Sequence, residues 1–421
     1  MERIGQEIAL QQNTPLFNWN RLLRRSILNA MIRTNSTSTS QVPNPHSILG
    51  FPPQKKPTYS KVATIRMCFV SPDEAPADRS ELSKASLFMD RYRNPPLRQN
   101  DFAVVLCTLD FPKGIRETID SILASTPAPT LLIIVDQSDP SSTTPVQDFD
   151  SHPDVLRIKL PESGLSWARN VGTAAALIRG FRFVAYTDDD CTVTSNWLSG
   201  FASSFASDPD VAMVFGSTLA APHDPKLGTI PAYDVLTECI YRGMKSKHLS
   251  EGMGACMALR IDAWHQLGGF DDQLGAGSPL RSGEENDMSV RLLHSQYAIA
   301  ETPHAKVVHY GYRDRLVSPQ LHASYMLGSG AATAKMIRIG KLTAIRTILG
   351  MSTRWLMGKP GISIGHLPSR RTRLWCFLKG LSEGWKLSID PRTKRFLPFK
   401  HTEDSAFASA SQTALSTTVH R

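Results

Sequence analysis

Phe183-Val184-Ala185-Tyr186-Thr187-Asp188-Asp189-Asp190 is an apolar run that empties into three adjacent carboxylates. The apolar part is a buried strand by length and composition. Neighbouring carboxylates raise each other's pKa unless a cation sits among them. Hard divalent cations such as Mg²⁺ and Mn²⁺ take carboxylate oxygens and keep places for phosphate oxygens. An acidic surface loop or a helix cap would give the same triplet. The strand in front of it favours a metal site.

The pattern repeats on either side. Phe102-Ala103-Val104-Val105-Leu106-Cys107 and Leu131-Leu132-Ile133-Ile134-Val135 are two more short apolar runs, and 155–160 is a candidate for another. Between them, residues 114–124 place Ile115, Ile119, Ile122 and Leu123 at helical spacing, and 166–180 are Ala-rich and helical. Strand alternating with helix predicts an α/β domain with a largely parallel sheet. Ligands of such sheets bind outside the carboxyl ends of the strands. The polar clusters of this chain stand at those ends.

Two further clusters carry possible chemistry. Gly283-Glu284-Glu285-Asn286-Asp287 follows a Gly-rich loop, with Asp287, Val290, Arg291 and Leu292 spaced along a helix. Acidic residues stabilise a helix N-terminus, which alone accounts for them. A carboxylate in a closed pocket can also act as a general base. Val307-Val308-His309-Tyr310 is a strand-like run ending in His, and His309 gains weight only from the other clusters.

The order of these segments resembles family-2 glycosyltransferases, which adopt the GT-A fold. Gly164-Leu165-Ser166-Trp167-Ala168-Arg169-Asn170-Val171-Gly172 is similar to that family's GxSxARNxG segment. Thr108, then Val135-Asp136-Gln137-Ser138, precede it. The Asp triplet, Gly254-Ala255-Cys256-Met257-Ala258, Gly268-Gly269-Phe270-Asp271, an "ED"-like motif and a His follow. The resemblance spans 101–315. It implies a Rossmann-like, mixed and mainly parallel sheet flanked by helices, followed by a C-terminal helical segment.

The resemblance also implies roles. Thr108, Asp136 and Gln137 would line the base and ribose pocket. Arg169 would meet the nucleotide, Asp188 the ribose, and Asp189 would belong to the donor site. Asp190, with Asp188 and His309, would hold Mn²⁺ or Mg²⁺. Glu285 would be the general base, and the displacement would invert the anomeric carbon. Partners would be a nucleotide-sugar donor and a glycan or lipid-linked acceptor. Two positions depart from the family. Glu284-Glu285 stands where Glu-Asp is usual, so Glu284 or Asp287 could serve as base instead. Cys256 stands where Asn is frequent, which would leave that part of the pocket drier. The competing readings are an inactive nucleotide-sugar-binding homologue and a nucleotidyltransferase of similar fold. Leu109-Asp110-Phe111-Pro112-Lys113-Gly114 lacks the Gly-rich basic loop expected of the latter.

The 421 residues suggest two or three units: 1–100 as a linker-like extension, 101–315 as the catalytic domain, 316–421 as a basic helical region and tail. Hydrophobic residues at 41% and charged residues at 20% fit an ordinary globular chain. The net charge of +9 is uneven. From Lys335 onward sixteen Lys/Arg stand against four Asp/Glu, a balance of +12, which leaves −3 for everything before. Arg370-Arg371-Thr372-Arg373-Leu374-Trp375-Cys376-Phe377-Leu378-Lys379 interleaves cations and aromatics, which suits either an anionic membrane surface or a solvated helix packed on the domain. Nucleic acid would fit on charge alone but has no motif, and none is expected. Six scattered cysteines without a CxxC pair point to a reducing compartment. Neither a signal peptide nor a membrane-spanning helix is expected; 342–357 comes closest, interrupted by Arg346 and Arg354. The expected location is cytoplasmic, with the membrane's cytoplasmic face as the variant implied by the basic segment. Trp19–Leu28 could form a short amphipathic helix, although a floppy N-terminus is the favoured reading; 34–62 read as linker, and 71–100 carry little core signal.

Overall fold

A computed structural model describes residues 101–397 except 113, 140–145, 315–317, 341–361 and 364–367. The expectations for 1–100, for Cys68, for 342–357 and for the tail after 397 lie outside the described residues.

The order begins β1 (Phe102–Thr108), α1 (Ile115–Leu123), β2 (Leu132–Asp136), β3 (Val155–Lys159), α2 (Leu165–Ile178) and β4 (Phe183–Asp188). Every residue of β1 and β2 is buried, as expected of strands covered on both faces. They form a parallel set in the spatial order β3-β2-β1-β4. The apolar runs read from the sequence are therefore the interior of a parallel half-sheet.

The chain continues through β5 (Cys191–Val193), α3 (Trp197–Ser207), β6 (Val211–Ala220), β7 (Gly228–Thr229), β8 (Ala232–Tyr233), β9 (Cys239–Arg242), β10 (Cys256–Arg260) and α4 (Ile261–Gln266). Then come α5 (Glu284–His294), β11 (Ala298–His309), β12 (Arg313–Asp314), α6 (Ser318–Gly340), β13 (Ile362–Ser363) and α7 (Arg370–Lys386). Strand β10 enters antiparallel between β4 and β6, which makes the sheet mixed. Strand β11 runs parallel to β6 and antiparallel to β5, so His309 pairs with Cys191, one residue after the Asp triplet. Strand register alone brings His309 to the acidic turn.

Helices cover both faces. Ala168, Val171 and Ala175 of α2 pack with Trp264, Met288 and Leu292 on one side. Ile115, Ile119, Trp197 and Phe201 pack on the other. Asn170 locks the Gly268-Gly269-Phe270-Asp271 loop onto α2. Its amide donates to Phe270 O at 2.9 Å, and its oxygen accepts from Phe270 N at 2.7 Å and Trp264 Nε1 at 3.1 Å.

The stretch read as a separate C-terminal segment packs onto the domain in its described parts. Lys335 of α6 is fully buried and pairs with Asp287 and Asp271. Arg395 donates to Gly268 O at 2.7 Å and pairs with Asp272. Helices α6 and α7 cross at backbone contact. A Cβ on Gly380 would lie 1.9 Å from Leu327 O, and one on Gly384 would lie 2.7 Å from Ala331 Cα. Among the described residues no helix is long and apolar enough to cross a membrane.

Candidate active site

The carboxyl ends of β1, β2 and β4 set the site. Thr108 and Asp136 close β1 and β2, and Asp188 closes β4. Asp189 and Asp190 form the turn into β5. Burial pushes the Asp189 carboxyl up to about 7; the Thr108 hydroxyl beside it acts against this and the flanking aspartates add to it. Asp188 is also raised by burial, opposed by Arg169. At Asp190 burial acts the same way, but the hydrogen bond and charge of His309 outweigh it and hold the carboxyl below its usual value.

His309 Nε2 lies 3.4 Å from Asp190 Oδ2. Its Nδ1 lies 2.9 Å from Pro231 O, so Nδ1 carries the proton and donates. That leaves Nε2 facing Asp190; against the effect of burial, that carboxylate favours a proton there and raises the His309 pKa, and a metal would take the place of that proton. Gly311 closes the space from the other side. A Cβ there would stand 2.4 Å from Asp190 Oδ2 and 2.5 Å from His309 Nε2. One carboxylate and one imidazole in a cradle that only glycine leaves open fit a divalent cation such as Mn²⁺ or Mg²⁺. The Cys191 thiol lies within 4.8 Å of both ligand atoms. It is packed in the apolar core and burial raises its pKa, so it stays a thiol and is a poor ligand.

Arg169 is placed differently from the expectation that it meets the nucleotide. Its guanidinium is buried and lies 3.0 Å from Glu284 Oε1 and 3.3 Å from both Asp188 Oδ1 and Gly254 O. It joins the Asp triplet to the first turn of α5. Asp136 lies within 3.4 Å of Arg157, pairs with Lys159 and accepts from Ser138 N at 3.0 Å. Gln137 donates to the carbonyls of Glu162 and Gly164, the latter at 3.3 Å. Both stand at the end of β2 beside Thr108.

The three acidic residues of α5 separate. Glu284 faces Arg169. Asp287 faces away, with Oδ2 accepting from Arg291 Nε at 2.8 Å and Oδ1 2.6 Å from Lys335 Nζ, and is not brought to the site. Glu285 is half-buried, and burial together with the Glu284 charge pushes its pKa up to about 8. Cys256 lies at the centre of the sheet, with its thiol 3.8 Å from Ala305 O, and is fully buried.

Two further residues stand near the site without belonging to any sequence motif. Arg313, four positions after His309, lies close enough to help keep the Asp190 carboxyl charged. Its guanidinium sits 5.4 Å from the ring centre of Tyr325 on α6. The Tyr325 phenol is raised by burial, with Arg313 acting against and Asp188 and Glu284 adding to the rise. A cation close after the His was the available signal for Arg313. Nothing in the sequence marked Tyr325.

Residues 103–263 match the family model described as "Glycosyl transferase family 2". The similarity to glycosyltransferase family 2 thus lies in this stretch, which is well under half of the chain. The mixed sheet, parallel over β3-β2-β1-β4 with β10 antiparallel, is the α/β arrangement expected from the sequence. A curated relative, "Glucosyl-dolichyl phosphate glucuronosyltransferase" of Haloferax volcanii, is 29% identical over 181 residues, covering 41% of this chain and 56% of the relative. The chain thus spans about half the length of that relative. Among solved structures, the chain is similar to "Mannosyltransferase PcManGT from Pyrobaculum calidifontis in complex with GDP-Man and Mn2+". That match has a TM-score of 0.44 and 16% identity, and covers 73% of this chain and 96% of that one. It is also similar to S. aureus TarS 1-349 in complex with UDP-GlcNAc, with a TM-score of 0.43, 14% identity, and coverage of 67% and 81%.

Proposed function

We propose that the protein transfers a sugar from a nucleoside-diphosphate sugar to an acceptor hydroxyl by one inverting, metal-assisted displacement. The observation that carries this is the His309–Asp190 arrangement, with Nδ1 tied to Pro231 O and Nε2 turned to the carboxylate. Asp190 and His309 would hold Mn²⁺ or Mg²⁺. Such an ion offsets charge building on the leaving diphosphate.

The rest of the chemistry falls to the chain's own groups. Thr108, Asp136 and Gln137 line the nucleoside pocket, and Asp188 and Asp189 complete the donor side. Arg169 does not bind phosphate in this reading. It holds Asp188 and Glu284 in place, a use suited to a planar, permanently charged fork. Arg313 is the cation that faces the diphosphate. Glu285 accepts the proton as the acceptor oxygen forms its bond to the anomeric carbon and the bond to the diphosphate breaks. A base with a pKa near the working pH is well matched to that step. The acceptor is a glycan or lipid-linked glycan, a class supported by the relative whose name specifies a dolichyl phosphate-linked glucose.

The test is a donor screen. Purified protein with Mn²⁺ or Mg²⁺ is given UDP-, GDP- and dTDP-sugars, and released nucleoside diphosphate is measured. Metal-dependent release from one donor, lost in Asp190→Ala, is expected. No release from any donor, with or without candidate acceptors, would favour an inactive homologue.

A further inference from the structure

Helix α7 has two apolar faces, and only one is covered among the described residues. At about 100° per residue, Cys376, Gly380 and Gly384 fall on one side, and all three are buried. This is the face in backbone contact with α6. Leu374, Trp375, Leu378 and Trp385 fall on the opposite side, and each is more than half exposed. The outward stripe of a surface helix normally carries polar residues. Four large apolar side chains in one stripe form an exposed patch, which marks an interaction site.

The charges around the patch select its occupant. Arg371 lies on the same stripe and Arg370 beside it; Lys379 and Lys386 border the other edge. Lys379 Nζ sits 5.3 Å from the Trp375 ring centre. The helix's single acidic residue, Glu383, pairs with Lys386 at 3.0 Å. Tryptophans beside cations suit the boundary between headgroups and acyl chains, with the cations on phosphates. A second copy of the chain would oppose the same cations to each other.

We propose that this face of α7 docks the protein on an anionic lipid surface, with Trp375 and Trp385 in the interface and Arg371 and Lys379 on headgroup phosphates. Docking involves no step of sugar transfer. On the proposed function, this is the surface on which a lipid-carried acceptor would be met.

The test uses the full chain with vesicles of phosphatidylcholine alone or mixed with phosphatidylglycerol. The variants are Trp375→Ser/Trp385→Ser and Arg371→Glu/Lys379→Glu. Wild type is expected to sediment with the mixed vesicles only, to release as salt rises, and to shift its tryptophan emission to the blue. Each cation at such a surface contributes roughly fivefold to binding, so the charge reversal lowers it on the order of 25-fold or more. The serine pair removes the blue shift. Both variants alter exposed side chains, so thermal melting and donor turnover without vesicles stay at wild-type values. Wild type indifferent to anionic vesicles, or variants binding as wild type does, would overturn the proposal. So would self-association that the serine pair abolishes without any vesicle binding. Donor turnover is read separately, so failure here leaves the transferase reading standing.

Discussion

Lys335 Nζ lies 2.6 Å from Asp287 Oδ1, and both side chains are buried. The same ammonium pairs with Asp271, whose Oδ2 also accepts from Phe396 N at 2.6 Å. One lysine of α6 therefore ties three segments together: the glycine loop after α4, the first turn of α5 and the strand-like return at Phe396. That first turn carries Glu284 and Glu285. Removing one partner of a buried pair leaves the other charge without compensation, at about 3–5 kcal/mol. Lys335→Met is expected to lose that much stability in a denaturant titration. A loss under about 1 kcal/mol would show that the network is not holding α6 to the domain.

The Glu285 carboxyl, pushed up to about 8 by burial and by Glu284, sets a pH dependence. Below that value it is protonated and cannot accept the acceptor's proton. As pH rises through it the base form fills, so kcat/KM is expected to climb and level off above about pH 8. General-base removal typically lowers rate by about 10²–10⁴-fold. Glu285→Gln should show that loss and flatten the rising limb. An unchanged limb in the variant would assign it to another group.

Gly311 predicts a metal phenotype without touching a ligand. A methyl there meets Asp190 Oδ2 at 2.4 Å and His309 Nε2 at 2.5 Å, so the ligands must move. Disturbing the groups that orient metal ligands typically costs about 10–100-fold in affinity or activity. Gly311→Ala is expected to raise the Mn²⁺ concentration for half-maximal turnover by that range. Wild-type metal dependence would contradict the site.

Arg169→Lys probes the link between the triplet and α5. A single ammonium cannot reproduce a fork that reaches both Glu284 at 3.0 Å and Asp188 at 3.3 Å. Turnover is expected to fall by about tenfold or more, because a positioned group moved by an ångström or so loses much of its effect. Nucleotide affinity should change little. A large loss of affinity with turnover retained would return Arg169 to the phosphate.

The sequence announces what is periodic or crowded. β1, β2 and β4 are legible as apolar runs because both their faces are covered. The Asp triplet is legible because three carboxylates in a row need an explanation. The antiparallel entry of β10 between β4 and β6 is not legible, since alternation carries no strand direction. Lys335 reads as a surface residue, because lysine is almost never fully buried unless paired, and its partners lie 48 and 64 positions away. Asp287 is a site candidate in sequence for the same reason: its partner on α6 is invisible there. Arg169 and Tyr325 depend on tertiary contacts that no local pattern encodes.

In the proposed reaction Asp190 and His309 form a cation site that completes a nucleotide site. Calorimetric titration of UDP and GDP, with and without Mn²⁺, into wild type and Asp190→Ala tests it most directly. One nucleotide is expected to bind wild type at least about tenfold more tightly with Mn²⁺, and the variant to lose this gain while keeping its metal-free affinity. Equal affinity in wild type with and without Mn²⁺ would contradict it.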